Sequence, residues 1–209
     1  MAEELVLYTN PMSRGRIARW MLEEAGTPYR TELLGFGEPM KSPAYRAINP
    51  MGKVPAIVHG QTVVTECAAI CAYLADAFPK AELAPALSDR GAYYRWLFFA
   101  AGPLEAAVSN KALGLVVPPE REMMIGYGSY SIVLDTLEQA LSGRDFIAGG
   151  RFTAADVYVG SHLQWGLQFG SIEKRPAFET YAARLAERPA AQRASALDDA
   201  AAAQMKSPG

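Results

Sequence analysis

The sequence contains two cysteines and two histidines among its 209 residues. That is too little cysteine for a disulfide framework, and too little of both for a zinc site, so no metal is expected. Neither sign of charge dominates: 20 Lys and Arg against 22 Asp and Glu give a formal net charge of −2. A nucleic-acid binder usually carries a basic excess, and none is present, so no nucleic-acid partner is expected. Apolar runs such as Trp96 to Ala101 fall far short of the ~20 residues that span a bilayer, so no membrane partner is expected either. The chain opens Met-Ala-Glu-Glu, with no basic or apolar leader. With so few cysteines, a reducing cytoplasm is the expected location. No Gly-x-Ser-x-Gly, phosphate-binding glycine loop or internal repeat occurs.

What is present is ordinary globular composition, half hydrophobic and one fifth charged, at a length that suits one large domain or two small ones. Residues 1–79 mix two periodicities. Glu4 to Tyr8 is a short β-rich run. Arg14 to Ala25 has apolar residues at helical spacing and ends at Gly26. Thr31 to Leu34, Val54 to Val58 and Thr62 to Thr65 read as strands, the last two separated by Gly60-Gln61 at hairpin distance. Glu66 to Phe78 is helical again. The order is β-α-β-α-β-β-α, an α/β domain. Residues 80–87 read as a linker. Residues 88–209 show only helical patterns: Ser88–Ala112 with a bend near Gly102-Pro103, Glu120–Leu141, Phe152–Phe169 and Pro176–Glu187, then an Ala-rich tail that packs as a last helix or frays.

Three strand-to-helix or loop junctions carry chemistry. In Tyr8-Thr9-Asn10-Pro11-Met12-Ser13-Arg14-Gly15, polar side chains sit where a helix begins. Free N–H groups and the positive end of the helix dipole stabilise an anion there, and Arg14 and Arg16 add charge. Ser13 equally suits a simple helix cap. In Asn49-Pro50-Met51-Gly52-Lys53-Val54-Pro55, a cis Val54–Pro55 bond would free the Val54 N–H and C=O for an extended ligand. A trans edge-strand proline is the plainer reading. In Val64-Thr65-Glu66-Cys67, Glu66 suits an ammonium and the Cys67 amide a carboxylate, or Glu66 simply complements the dipole. By contrast, Thr153-Ala-Ala-Asp156 reads as a capping box, with no catalysis assigned. Cys67 and Cys71, four apart on one helix, read as small buried hydrophobes rather than a redox pair. His59 and His162 have no partner visible in the sequence.

Taken together and in this order, the motifs at 49–55, Thr-Glu-Cys-Ala-Ala-Ile-Cys-Ala-Tyr-Leu at 65–74 and Phe-Thr-Ala-Ala-Asp-Val at 152–157 resemble the cytosolic glutathione S-transferases. The resemblance covers roughly Leu5 to Arg193. It implies a thioredoxin-like first domain, an all-α helical-bundle second domain, glutathione as co-substrate and a homodimer. It also implies roles by position. Val54 would pair its backbone with the cysteinyl part of glutathione, and Pro55 would be the cis-proline. Glu66 would hold the γ-glutamyl ammonium. Cys67 stands where the family usually has serine; its backbone N–H would hold the γ-glutamyl carboxylate. Lys41 and Lys53 would reach the glycyl carboxylate. Ser13 matches the catalytic hydroxyl of serine-type classes, while Tyr8 and Asn10 remain contenders for that role.

The implied reaction is activation of the glutathione thiol, whose free pKa of ~8.5 leaves it mostly protonated at neutral pH. The thiolate then attacks a hydrophobic electrophile, or a peroxide, held on the helical domain. Met12, Trp96, Phe99, Trp165 and Phe169 are the expected lining. Alternatives are a binding protein on the same fold without turnover, and a glutathione-dependent dehalogenase.

Overall fold

The computed structural model of the chain describes residues 3–206. These form two compact units. One is the chain up to Leu83 together with the segment from Glu187; the other is Ala84–Ala186.

The first unit holds β1 (Leu5–Thr9), α1 (Gly15–Ala25), β2 (Arg30–Leu33), the single-turn helices α2 (Glu38–Lys41) and α3 (Pro43–Arg46), β3 (Ala56–His59), β4 (Thr62–Thr65) and α4 (Cys67–Ala77). The strands make a four-stranded sheet in the order β2-β1-β3-β4. β1 runs parallel to β2 and antiparallel to β3, and β4 is antiparallel to β3. β1 lies in the middle of the sheet, and its Leu5, Val6 and Leu7 are buried on both faces, which is why it reads as a continuous apolar run. α1 buries Ile17, Ala18, Met21 and Leu22. It stops where Gly26 turns left-handed at φ 63° and donates its N–H to the Leu22 carbonyl. α4 buries Ile70, Cys71 and Leu74 and packs beside α1. Each Ile, Leu or Met among these is worth roughly 1.5–3 kcal/mol when buried.

Register decides where function sits. Tyr8 lies opposite Ala56, Ala56 opposite Thr65, and Glu32 opposite Tyr8. The chain therefore leaves β1, β2 and β4, and enters β3, at one end of the sheet.

The second unit contains α5 (Gly91–Phe99), α6 (Glu105–Ala112), α7 (Tyr130–Leu141), α8 (Ala154–Phe169) and α9 (Pro176–Ala186). No strand element is found in it among the described residues. The bend expected at Gly102-Pro103 is a π-type turn over Ala100–Leu104 that absorbs the proline. The helix expected over 120–141 is shorter. Pro119–Met124 is a 3₁₀ turn, Gly128 takes φ 66°, and α7 begins at Tyr130, with Ser129 Oγ accepting the Ile132 N–H at 3.3 Å. α8 is the centre of the unit, buried from Ala154 through Ser161. Its capping box forms as the sequence suggests. Asp156 accepts the Thr153 N–H and hydroxyl, the Ile147 N–H and the Tyr181 hydroxyl. Burial raises the Asp156 pKa while these donors pull it down.

The sequence division assigns everything after 87 to the helical domain, and here the structure differs. The last helix, α10 (Pro189–Lys206), belongs to the first unit and packs along α1. Its small Ala190, Ala194 and Ala201 are buried. Ion pairs run the length of the contact: Arg188 to Glu24, Arg193 to Glu23, Asp198 to Arg19 and Asp199 to Arg16.

Candidate active site

The end of the sheet defined by register collects most of the residues named from the sequence. At the exit of β1, Asn10 is buried and its side chain is committed. Its Nδ2 donates to the Leu34 carbonyl at 2.7 Å, and its Oδ1 accepts the Met12 N–H at 2.9 Å. Asn10 thus shapes the loop. The half-buried Tyr8 ring lies 5.7 Å from that of Tyr45, centroid to centroid.

Ser13 is half-buried. Its Oγ accepts the Gly15 N–H at 3.0 Å and donates to the Asn10 carbonyl at 2.7 Å. The N-cap position of α1 is Arg14, with no side-chain cap, so Ser13 braces the turn before the helix instead of capping it. The arrangement also leaves the oxygen polarised by a helix-start N–H, with a hydroxyl rotor free to turn toward a second acceptor. Gly15 must be glycine: a Cβ there would lie 1.8 Å from Thr9 Oγ1 and 3.1 Å from Ser13 Oγ. Thr9 Oγ1 is buried with no hydrogen-bond partner among the described residues.

The entry to β3 carries the Val54–Pro55 bond, which is cis. The Val54 N–H and C=O have no partner among the described residues. Two residues that sequence reasoning missed hold this segment. Tyr45 Oη and Asn49 Nδ2 each donate to the Lys53 carbonyl at 2.7 Å. Burial pushes the Tyr45 pKa up to about 12. Asn49 lies inside the quoted motif and carried a signal; Tyr45, on a single-turn helix, carried none. Lys41 folds onto the same loop, its Nζ donating to the Met51 and Gly52 carbonyls at 3.1 and 2.9 Å. Gly52 at φ 58° permits this, since a Cβ would lie 2.5 Å from the Met40 carbonyl. Lys53 is exposed.

At the exit of β4, Glu66 holds φ 66° and ψ 123°, a conformation that costs a non-glycine residue on the order of 1–3 kcal/mol. It makes no side-chain cap on α4. Its side chain is exposed. Cys67 is buried, and its thiol donates to the Arg14 carbonyl at 3.6 Å. The thiol is thereby turned toward the start of α1. Burial raises the Cys71 pKa well above the ordinary thiol value, as expected of an inert core cysteine.

The five residues expected to line an apolar pocket fare differently. Trp96 is 4% exposed, with its ring edge-on to Phe99 at 5.2 Å, so it is core. Phe99 and Trp165 are half-buried. Met12 at 63% and Phe169 at 75% are exposed. A cleft of about 250 Å³ in the helical unit is lined by other residues, among them Lys111, Leu115, Val117, Glu122 and Tyr130. A cleft of about 350 Å³ in the first unit lies at the opposite end of the sheet, beside Glu4, Arg30 and His59, away from Ser13, Val54 and Glu66. No cluster of metal-ligating side chains occurs among the described residues.

Residues 12–77 match the family model for the glutathione S-transferase N-terminal domain, and residues 133–165 that for the C-terminal domain. The chain is 32% identical over 155 residues to glutathione S-transferase GstA of Escherichia coli O157:H7, covering 71% of this chain and 75% of that protein. It is 28% identical over 172 residues to glutathione S-transferase GST-4.5 of Xanthomonas campestris, covering 78% and 83%. Among solved structures it is similar to the theta class glutathione S-transferase of Xanthomonas axonopodis pv. citri with glutathione bound. The TM-score there is 0.72 at 30% identity, over 92% of this chain and 97% of that one.

Proposed function

The chain belongs to the glutathione S-transferase family, and from that premise we propose that it binds glutathione at the β1/β3/β4 end of the sheet and activates its thiol through Ser13. One observation carries the reading. A half-buried hydroxyl polarised by a helix-start N–H, an unpaired backbone at Val54 and the start of α4 behind a strained Glu66 all belong to the same sheet end.

In this reading Val54 pairs with the cysteinyl backbone of glutathione, beside the cis Pro55. Glu66 holds the γ-glutamyl ammonium, and the Cys67 N–H holds the α-carboxylate. Lys41 and Lys53 reach the glycyl carboxylate. The Ser13 hydroxyl turns its hydrogen bond from the Asn10 carbonyl to the sulfur, the Gly15 N–H stays on Oγ, and the thiol proton leaves to water. Each unit by which the thiol pKa falls corresponds to ~1.4 kcal/mol of preferential thiolate stabilisation. The sulfur then attacks an apolar electrophilic carbon and expels its leaving group. A peroxide is a second acceptor class, reduced by glutathione that ends as its disulfide. We further read the protein as a cytoplasmic homodimer of the detoxifying type.

The test pairs calorimetric titration with glutathione and an aryl-halide conjugation assay. Binding with turnover is the expected result. Binding without turnover, on aryl halides and on hydroperoxides alike, would reduce the protein to a glutathione-binding module.

A further inference from the structure

Arg16 connects the loop that carries Ser13 to the C-terminal helix. Its Nε donates to the Pro11 carbonyl at 2.6 Å and its Nη2 donates to Asp199 Oδ1 at 2.6 Å. Pro11 lies between Asn10, whose carbonyl accepts both the N–H and the hydroxyl of Ser13, and Met12, whose N–H is held by Asn10 Oδ1. The turn that presents Ser13 Oγ is thus pinned from inside by Asn10 and from outside by Arg16.

The outer pin is itself fixed. Asp199 follows Asp198, which is buried against Arg19 at 2.8 Å, so the backbone that presents Asp199 is anchored. An exposed ion pair contributes little to stability, about 0–1 kcal/mol, and Asp199 is 65% exposed. Stability is a weak reason for this bond. A guanidinium that reaches a loop carbonyl with one edge and a carboxylate with another is a geometric device, because a lysine ammonium lacks the planar fork.

We propose that Arg16, oriented by Asp199, is a positioning residue for thiol activation, and that α10 is through it a working part of the active site. Arg16 touches no substrate in this account. It fixes the Pro11 carbonyl and with it the turn from which Ser13 donates. The proposal rests on the reading of Ser13 given above.

The experiment measures the pKa of enzyme-bound glutathione from thiolate absorbance, together with kcat and KM for glutathione. The variants are Arg16→Ala, Arg16→Lys, Asp199→Asn and Arg193→Ala. A positioning role predicts that Arg16→Ala and Arg16→Lys both raise the bound-thiol pKa. Both should lower kcat near neutral pH about tenfold, within the range that small misplacements cause, with KM close to wild type. Asp199→Asn removes the charge that orients Arg16 and should raise the bound-thiol pKa in the same direction as Arg16→Ala, by less; an Asp199→Asn enzyme with the wild-type thiol pKa removes α10 from the device. Arg193→Ala removes an exposed rung of the same helix contact, to Glu23, and leaves the thiol pKa unchanged. Thermal unfolding of each variant separates folding from function. An Arg16→Ala enzyme with the wild-type thiol pKa overturns the proposal, as does an Arg193→Ala enzyme shifted equally. An Arg16→Lys enzyme that behaves as wild type also overturns it, since charge alone would then suffice. Wild-type protein that binds glutathione without lowering its thiol pKa overturns the Ser13 reading itself, and this proposal with it.

Discussion

Arg19 on α1 and Asp198 on α10 are bonded Nε to Oδ1 at 2.8 Å, across 179 positions of sequence, with side chains only 5% and 1% exposed. Arg19 also donates to Tyr29 Oη and Thr31 Oγ1 at 3.2 Å each. Burial pushes the Asp198 pKa up and Arg19 pulls it back. Asp198 Oδ2 has no partner among the described residues. A pair so placed is costly to break and cheap to replace. Asp198→Ala should destabilise the protein by about 3–5 kcal/mol, because Arg19 is left buried and unpaired. The double variant Arg19→Met, Asp198→Leu should recover most of that in urea denaturation. Equal losses in single and double variants would count against the argument.

Tyr45 gives a pH prediction. Its pKa is raised from 10.0 to about 12 by burial. The folded state therefore favours the neutral phenol, and the stability that follows is fully present below pH 10 and lost as pH rises through about 12. Tyr45→Phe should cost about 1 kcal/mol at neutral pH for its bond to the Lys53 carbonyl. Between pH 10 and 12 it should lose stability less steeply than wild type. Parallel denaturation curves at pH 9 and pH 11 decide this.

Much of the fold was legible before the structure because its signals are local. The β-α-β-α-β-β-α order follows from periodicity and from the glycine after α1. The Thr153–Asp156 capping box is written in four consecutive residues. The return of α10 was not legible. Its residues are mostly alanine, with no strong apolar stripe. Its partners only make sense once Arg188, Arg193, Asp198 and Asp199 are laid antiparallel along Glu24, Glu23, Arg19 and Arg16. The break before α7 was missed because Met123, Tyr127, Tyr130 and Leu134 continue the helical spacing across Gly126 and Gly128. At the site, the positions of Val54, Glu66 and Cys67 follow from the quoted motifs. What sequence could not supply was the direction of each polar bond: that Asn10 is spent on its own loop, and that the Cys67 thiol turns to the Arg14 carbonyl.

Glu66→Ala should weaken glutathione binding clearly while changing the unfolding temperature little. Alanine at φ 66° carries the same backbone strain, and Glu66 makes no cap that would be lost. Calorimetry that finds unchanged affinity would remove Glu66 from the site.

Cys67→Ala should leave glutathione affinity near wild type, because the role assigned to this position belongs to its backbone N–H. Stability should fall by about 1 kcal/mol for the lost buried sulfur. A large loss of affinity with intact folding would show that the thiol itself contacts the ligand.

The most direct test of the account is the pKa of bound glutathione in wild-type protein and in Ser13→Ala, read from thiolate absorbance across pH. The account predicts a wild-type value below the ~8.5 of a free thiol. It predicts a rise of roughly one to two units in Ser13→Ala, the equivalent of the ~1.5–3 kcal/mol carried by a hydrogen bond to a charged group. Glutathione affinity should stay close to wild type. Identical thiol pKa values in the two proteins, with the shift appearing instead in Tyr8→Phe, would contradict it and move the catalytic hydroxyl to the end of β1.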